Sequence, residues 1–172
     1  MILVGDPSVG KTSLIQRYVH GRFKHSYQVT IGLDVLSKTI EFPEREVEIS
    51  INDIGGQARF ATLRSLFYNG THLAMLVYDC TRPQTLQNLI TTWNKELEKF
   101  ILPKEGEPRL IKLMVGNKTD LDDLRTITTE EGEEVAHQIG AVKHIVASAK
   151  ENQNVETAFN EITQAYIESL SK

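Results

Sequence analysis

The segment Gly5-Asp6-Pro7-Ser8-Val9-Gly10-Lys11-Thr12 matches GxxxxGK[ST], the pattern of a loop that wraps phosphate groups between a strand and a helix. Each residue type has a physical task there. Gly5 and Gly10 allow backbone geometry and close approach that a Cβ would obstruct. Loop N–H groups and the start of the next helix present partial positive charge to phosphate oxygens. Lys11 adds a full charge at the β and γ phosphates, and Thr12 offers a hydroxyl to Mg2+. The implied ligand is a nucleoside triphosphate. The loop by itself leaves a kinase, an ATPase and a GTPase open.

Two further short segments address the base. Asn117-Lys118-Thr119-Asp120 and Ser148-Ala149-Lys150 each follow an apolar run. Asp120 can accept two hydrogen bonds at once, from guanine N1–H and the 2-amino group. Adenine offers an acceptor at N1 and no 2-amino group, so a carboxylate facing it would be desolvated without a partner. A site built on such a bond can reject the wrong base by roughly 10⁴ or more. The Ala149 N–H can reach guanine O6, the stem of Lys118 can lie over the base, and Asn117 can tie the loops together.

These loops need a scaffold that brings them to one edge, and the rest of the chain supplies it. Met1–Val4, Leu73–Asp79, Leu110–Val115 and His144–Ala147 read as buried strands. Apolar and polar residues alternate on both sides of Pro43-Glu44-Arg45, which predicts a β-hairpin. Leu14, Ile15, Tyr18 and Val19 make a helical stripe that Gly21 stops. Leu86, Leu89, Ile90, Trp93, Leu97, Phe100 and Ile101 predict one long amphipathic helix with Trp93 in the core. Thr128 and Glu131 form a capping box opening a helix that ends near Gly140. Val155 to Leu170 is the last helix. The acidic run from Glu130 to Glu134 reads as a solvated helix start. Alternating strands and helices predict an α/β, three-layer P-loop domain over residues 1–172. Its six-stranded sheet is mostly parallel, with one antiparallel edge strand and helices on both faces. Ligands in such sheets sit beyond the carboxyl ends of the strands.

Composition narrows the classes further. The chain has 172 residues, 19 Lys+Arg against 23 Asp+Glu, and a net charge of −4. That balance disfavours nucleic acid as a partner but not a triphosphate, which needs only local compensation. The single Cys80 excludes a disulfide scaffold and suits a reducing, cytoplasmic compartment. The run Leu73–Tyr78 is far short of the roughly 20 residues of a membrane span, and the first residues lack a secretory pattern. The five histidines show no metal spacing. There is neither a C-terminal prenylation cysteine nor Gly at position 2. Membrane attachment is therefore expected only through an anchor outside this chain, and a monomer is expected.

With the loops and elements in place, the sequence resembles the small GTPases of the Ras superfamily over nearly its whole length. It is most similar to the Rab branch, in Thr30-Ile31-Gly32-Leu33-Asp34, in Arg59-Phe60 with Tyr68-Asn69-Gly70-Thr71-His72, and in Leu76-Val77-Tyr78-Asp79. Trp93 with Glu96-Leu97 adds to the likeness. The resemblance implies a GTP-binding switch that hydrolyses GTP with Mg2+, in Rab-like membrane traffic or signalling. The metal would be held by Thr12, Thr30 and Asp53. Catalysis would fall to Gln57, which orients the attacking water, with Lys11 and Thr30. Nucleotide contacts would extend to Ser13, to Phe23 beside the base, to Tyr27 over the phosphates, and to Gly56 at the γ-phosphate, with Lys150 completing the second base loop. An exchange factor, a GTPase-activating protein and effectors would bind residues 24–34 and 54–70.

Departures from the pattern cluster near the phosphates. Pro7 stands where Ras proteins usually carry glycine, Ile54-Gly55 replaces Thr-Ala, Ala58 replaces the common glutamate, and Asn52 replaces the common tryptophan. Arg59 and Arg64 read as a solvated helix face, so no arginine occupies a finger position. Efficient hydrolysis is then expected to need a partner's arginine, worth about 10³–10⁵ in rate. The alternative reading is a guanine-nucleotide-dependent scaffold with negligible hydrolysis.

Overall fold

The computed structural model describes residues 1–23, 30, 33–57, 61–102 and 109–171, without the side chains of Leu33 and Leu63. Strand β1 (Ile2–Val4) leads into helix α1 (Lys11–His20), which ends at Gly21 with φ +64°, a left-handed cap that glycine adopts without penalty. Strands β2 (Leu33–Phe42) and β3 (Arg45–Ile54) form the expected hairpin. Phe42 pairs with Arg45, so the turn is Pro43-Glu44 alone and Arg45 belongs to the strand. Helix α2 (Ala61–Tyr68), β4 (Leu73–Asp79) and β5 (Ile111–Asn117) follow. Helix α5 (Thr129–Gln138), β6 (His144–Val146) and α6 (Val155–Ser169) complete the chain. Thr128 and Glu131 make the reciprocal capping box at the start of α5.

The helix expected between β4 and β5 is not uniform. It runs as α3 (Pro83–Asn88), a π-helical stretch (Leu89–Asn94) and α4 (Lys95–Phe100). The wider turn changes the angular step between side chains. Trp93 still lies in the core at 3% exposure, and its indole N–H also reaches Asp6 in the phosphate loop, at 2.7 Å.

The sheet order is β2-β3-β1-β4-β5-β6, with only β2 antiparallel. The chain leaves β1 towards one edge and later returns to its other side at β4. The order therefore reverses at β1, and a ligand crevice opens at such a reversal. Alternation along the strands divides the core. Leu3, Met75, Val77, Leu113 and Val115 face α1 and α6, against Leu14, Tyr18, Phe159 and Ile162. Ile2, Val4, Leu76, Tyr78 and Met114 face Tyr68, Leu86, Leu89, Trp93 and Leu97 on the other side. Two buried faces and three layers hold the ends of β1, β3, β5 and β6 along one edge.

Candidate functional site

The phosphate loop joins β1 to α1 by a tight path. Gly10 has φ +99°, and a Cβ there would overlap the Asn117 amide. A Cβ on Gly5 would overlap the Val77 carbonyl. Ser8, a residue with a side chain, is nonetheless held at φ +66°. Lys11 is 6% exposed, and its ammonium donates to the carbonyls of Gly5 at 2.7 Å and Asp6 at 2.9 Å. Burial lowers its pKa to about 8, against the pull of the Asp53 and Asp6 carboxylates. A buried cation whose hydrogen bonds go to neutral carbonyls is suited to an anionic ligand. The Asp6 carboxylate is engaged by Trp93 and by Asn88, at 2.7 Å each.

Residues far apart in sequence meet beside Lys11. The Thr12 and Thr30 hydroxyls lie 2.7 Å apart, and Thr12 donates to Asp53 Oδ1 at 3.1 Å. Asp53 ends buried at the foot of β3. Burial raises its pKa, as does the Asp34 charge, while Thr12 and Lys11 oppose the rise. Two hydroxyls and a carboxylate are hard oxygen donors, and this set fits Mg2+ with water completing the shell. Gly56 packs so closely that a Cβ would stand 2.7 Å from Lys11 Nζ. Gln57 follows, half-buried.

The base-reading segments converge at the ends of β5 and β6. Asn117 donates to the Val9 carbonyl at 2.9 Å and accepts from the Ala149 N–H at 3.1 Å. It thereby links the phosphate loop to the second base loop, the tie expected of it. The Ala149 N–H expected to face the base already has that partner. The Ser148 hydroxyl donates to Asp120 at 2.6 Å, and Lys150 approaches the same carboxylate at 3.8 Å. Lys118, at φ +71°, pairs through its ammonium with Asp79 at 2.7 Å. Ser13 lies in the first turn of α1, half-buried. Phe23 packs on the core edge, with Arg17 6.0 Å from its ring centre. Tyr27, Ala58, Arg59 and Phe60 lie outside the described residues.

Known proteins resemble this chain over nearly its whole length. The Ras family model matches residues 1–168. The chain belongs to the Ras family. It is 34% identical to the Ras-related protein Rab-1 of Theileria annulata over 172 residues, covering 100% of this chain and 76% of that protein. It is 35% identical to RABD1 of Arabidopsis thaliana over 159 residues, 92% and 74% of the two chains. Rab-10 of Caenorhabditis elegans is 34% identical over 170 residues, 99% and 81%. The protein is thus a Rab-like small GTPase of the guanine-nucleotide-binding class.

Around the site of this small GTPase the structure corrects one expectation and adds residues. Arg64 is not on a solvated face: it is 3% exposed. Its guanidinium makes a two-pronged pair with Glu96, at 2.8 and 3.1 Å, and lies 4.8 Å from the Trp93 ring centre. It also donates to the Gly55 and Gln57 carbonyls, at 3.1 and 3.0 Å, which flank Gly56. Arg17 was not legible as a site residue. It staples α1 to the carbonyls of Ala149 and Lys150, at 2.9 and 2.7 Å. Asp79 and Arg82, between β4 and α3, were missed as well. The resemblance through Leu76–Asp79 pointed to the neighbourhood, but no local pattern announces their distant partners, Lys118 for Asp79 and Pro7 for Arg82.

Proposed function

We propose that this GTPase is a single-domain switch, residues 1–172, that binds GTP with Mg2+ and hydrolyses it to GDP and phosphate. The observation that carries the reading is the meeting of Thr12, Thr30 and Asp53 beside buried Lys11, with Gly56 and Gln57 next to them. Thr12, Thr30 and Asp53 would hold the metal, Asp53 directly or through water. The ion supplies charge neutralisation on the β and γ phosphates. Lys11 exchanges its loop carbonyls for phosphate oxygens. The Gly56 N–H meets the γ-phosphate, and the Gln57 amide orients the attacking water in line with the bond that breaks. Asp120, buttressed by Ser148, reads guanine N1–H and the 2-amino group. The Lys118 stem lies over the base with its head tied to Asp79, Ala149 shares its N–H with O6, and Phe23 borders the ring.

Thr30 and Gly56 reach the γ-phosphate from separate segments. Its loss releases both, so residues 24–34 and 54–70 present one surface with GTP and another with GDP. Exchange factors, activating proteins and effectors read that surface. The Rab-named relatives support membrane traffic as the setting. No helix among the described residues is long and apolar enough to cross a membrane, so attachment would use an anchor outside these residues. The test is phosphate release from GTP–Mg2+ by wild type and Gln57→Leu. The variant is expected to be at least tenfold slower. Equal, near-zero release in both would replace the hydrolase with a nucleotide-dependent scaffold.

A further inference from the structure

Arg82 stands between β4 and α3, in extended backbone just ahead of Pro83. Its Nε donates to Asp79 Oδ2 at 3.0 Å, and its Nη2 donates to the Pro7 carbonyl at 3.1 Å. Asp79 is almost fully buried and has both oxygens in use. Oδ1 accepts from the Thr81 N–H and hydroxyl at 2.9 and 2.7 Å, and Oδ2 also takes the Lys118 ammonium at 2.7 Å. Arg82 is therefore aimed at the phosphate loop by a carboxylate that also holds a base-reading residue. In the sequence no arginine occupies a recognisable finger position. The structure brings Arg82 against Pro7, where Ras proteins usually carry glycine.

The contact falls on a peptide with two possible orientations. Proline followed by a residue at positive φ is the central pair of a turn that calls for glycine or asparagine second. Here that residue is Ser8, at φ +66°. Flipping the peptide between Pro7 and Ser8 relieves a side-chain-bearing residue of this conformation, at the cost of reversing the peptide. In a trans peptide the carbonyl and the N–H point opposite ways. A flip would turn the Pro7 carbonyl toward the phosphates and the Ser8 N–H away from them. Pro7 itself has no N–H, so the loop has already lost one donor and depends more on the next.

We propose that Arg82 is a positioning residue for nucleotide binding: by holding the Pro7 carbonyl it keeps the Ser8 N–H directed at the phosphates. Through Asp79 and Lys118 the same contact ties the phosphate loop to the base-reading loop. The inference rests on the nucleotide reading of the loop given above.

The test is release of a fluorescent GDP analogue, chased with excess GDP in Mg2+, from wild type, Arg82→Ala, Arg82→Lys, Ser8→Gly and the double variant R82A/S8G. R82A removes the bonds to both Asp79 and Pro7; the loss of the half-exposed one to Pro7 is expected to speed release about 5- to 30-fold. Arg82→Lys keeps the charge but loses the planar fork that serves Asp79 and Pro7 together, so it falls between. Glycine has no reason to leave positive φ, so R82A/S8G is expected to return to within about threefold of Ser8→Gly alone. A general weakening of the fold would not be repaired by that substitution. Release from R82A within twofold of wild type would overturn the proposal, as would equally fast release from R82A and R82A/S8G. If wild type itself binds no guanine nucleotide, the parent reading fails, and this inference with it.

Discussion

Replacing Glu96 by alanine should cost about 3 kcal/mol of stability, although Glu96 lies outside the proposed nucleotide contacts. Its side chain is 14% exposed and that of its partner Arg64 is 4% exposed, so solvent screens the pair weakly. The carboxylate accepts both prongs of the guanidinium and the hydroxyl of buried Tyr68 at 2.7 Å. Burial lowers the Arg64 pKa, but the hydrogen bonds and charge of Glu96 outweigh it and leave the group above its ordinary value. Removing one partner of a buried pair costs about 3–5 kcal/mol, because the other charge stays desolvated. The lower end applies, since Arg64 keeps two backbone carbonyls and the face of Trp93. For a chain of this size each kcal/mol moves Tm by roughly 2–4 °C, which gives a drop of about 6–12 °C. The assay is thermal unfolding at fixed, saturating GDP, because bound ligand itself shifts Tm. The Glu96→Gln variant keeps an acceptor for Arg64 and Tyr68 and should lose less than Glu96→Ala. A Glu96→Ala variant within about 1 kcal/mol of wild type, or a Glu96→Gln variant no more stable than Glu96→Ala, would refute the reasoning.

Two other outcomes follow from groups described above. His144 accepts or donates with the Tyr78 hydroxyl at 3.0 Å, and burial, with the Arg125 charge second, lowers its pKa from 6.5 to about 4. The unfolded chain binds more protons between those values, so stability should fall as pH drops through that window. The His144→Gln variant should lose that part of the slope in denaturant midpoints measured against pH; parallel profiles would count against it. Thr12→Ala removes the hydroxyl that bridges Thr30 and Asp53. A chelator should therefore speed GDP release strongly in wild type and much less in the variant, and an undiminished chelator effect would remove Thr12 from the metal set.

The parts of this protein written in contiguous residues were legible from the chain. Lys11 and Thr12 follow two glycines in a fixed pattern. Asn117 to Asp120 follow an apolar strand, and alternation set the two faces of the sheet. Such features depend on backbone periodicity and nearest neighbours, which a linear pattern records. The π-helical stretch was invisible because its apolar stripe also satisfies an ordinary helix. Arg64 was misread for a related reason. On α2 it occupies a position that would be solvated on an isolated helix, and its carboxylate lies 32 residues away. Arg82 meets Pro7 across 75 residues, and Arg17 meets Ala149 across 132. Arginine contacts at such distances, whether to a carboxylate or to a backbone carbonyl, leave no spacing in the chain. Their energy depends on burial and direction, and both exist only after the sheet has brought the loops to one edge. The residue types that can hold a nucleotide are thus local information, whereas the braces that orient them arise from packing.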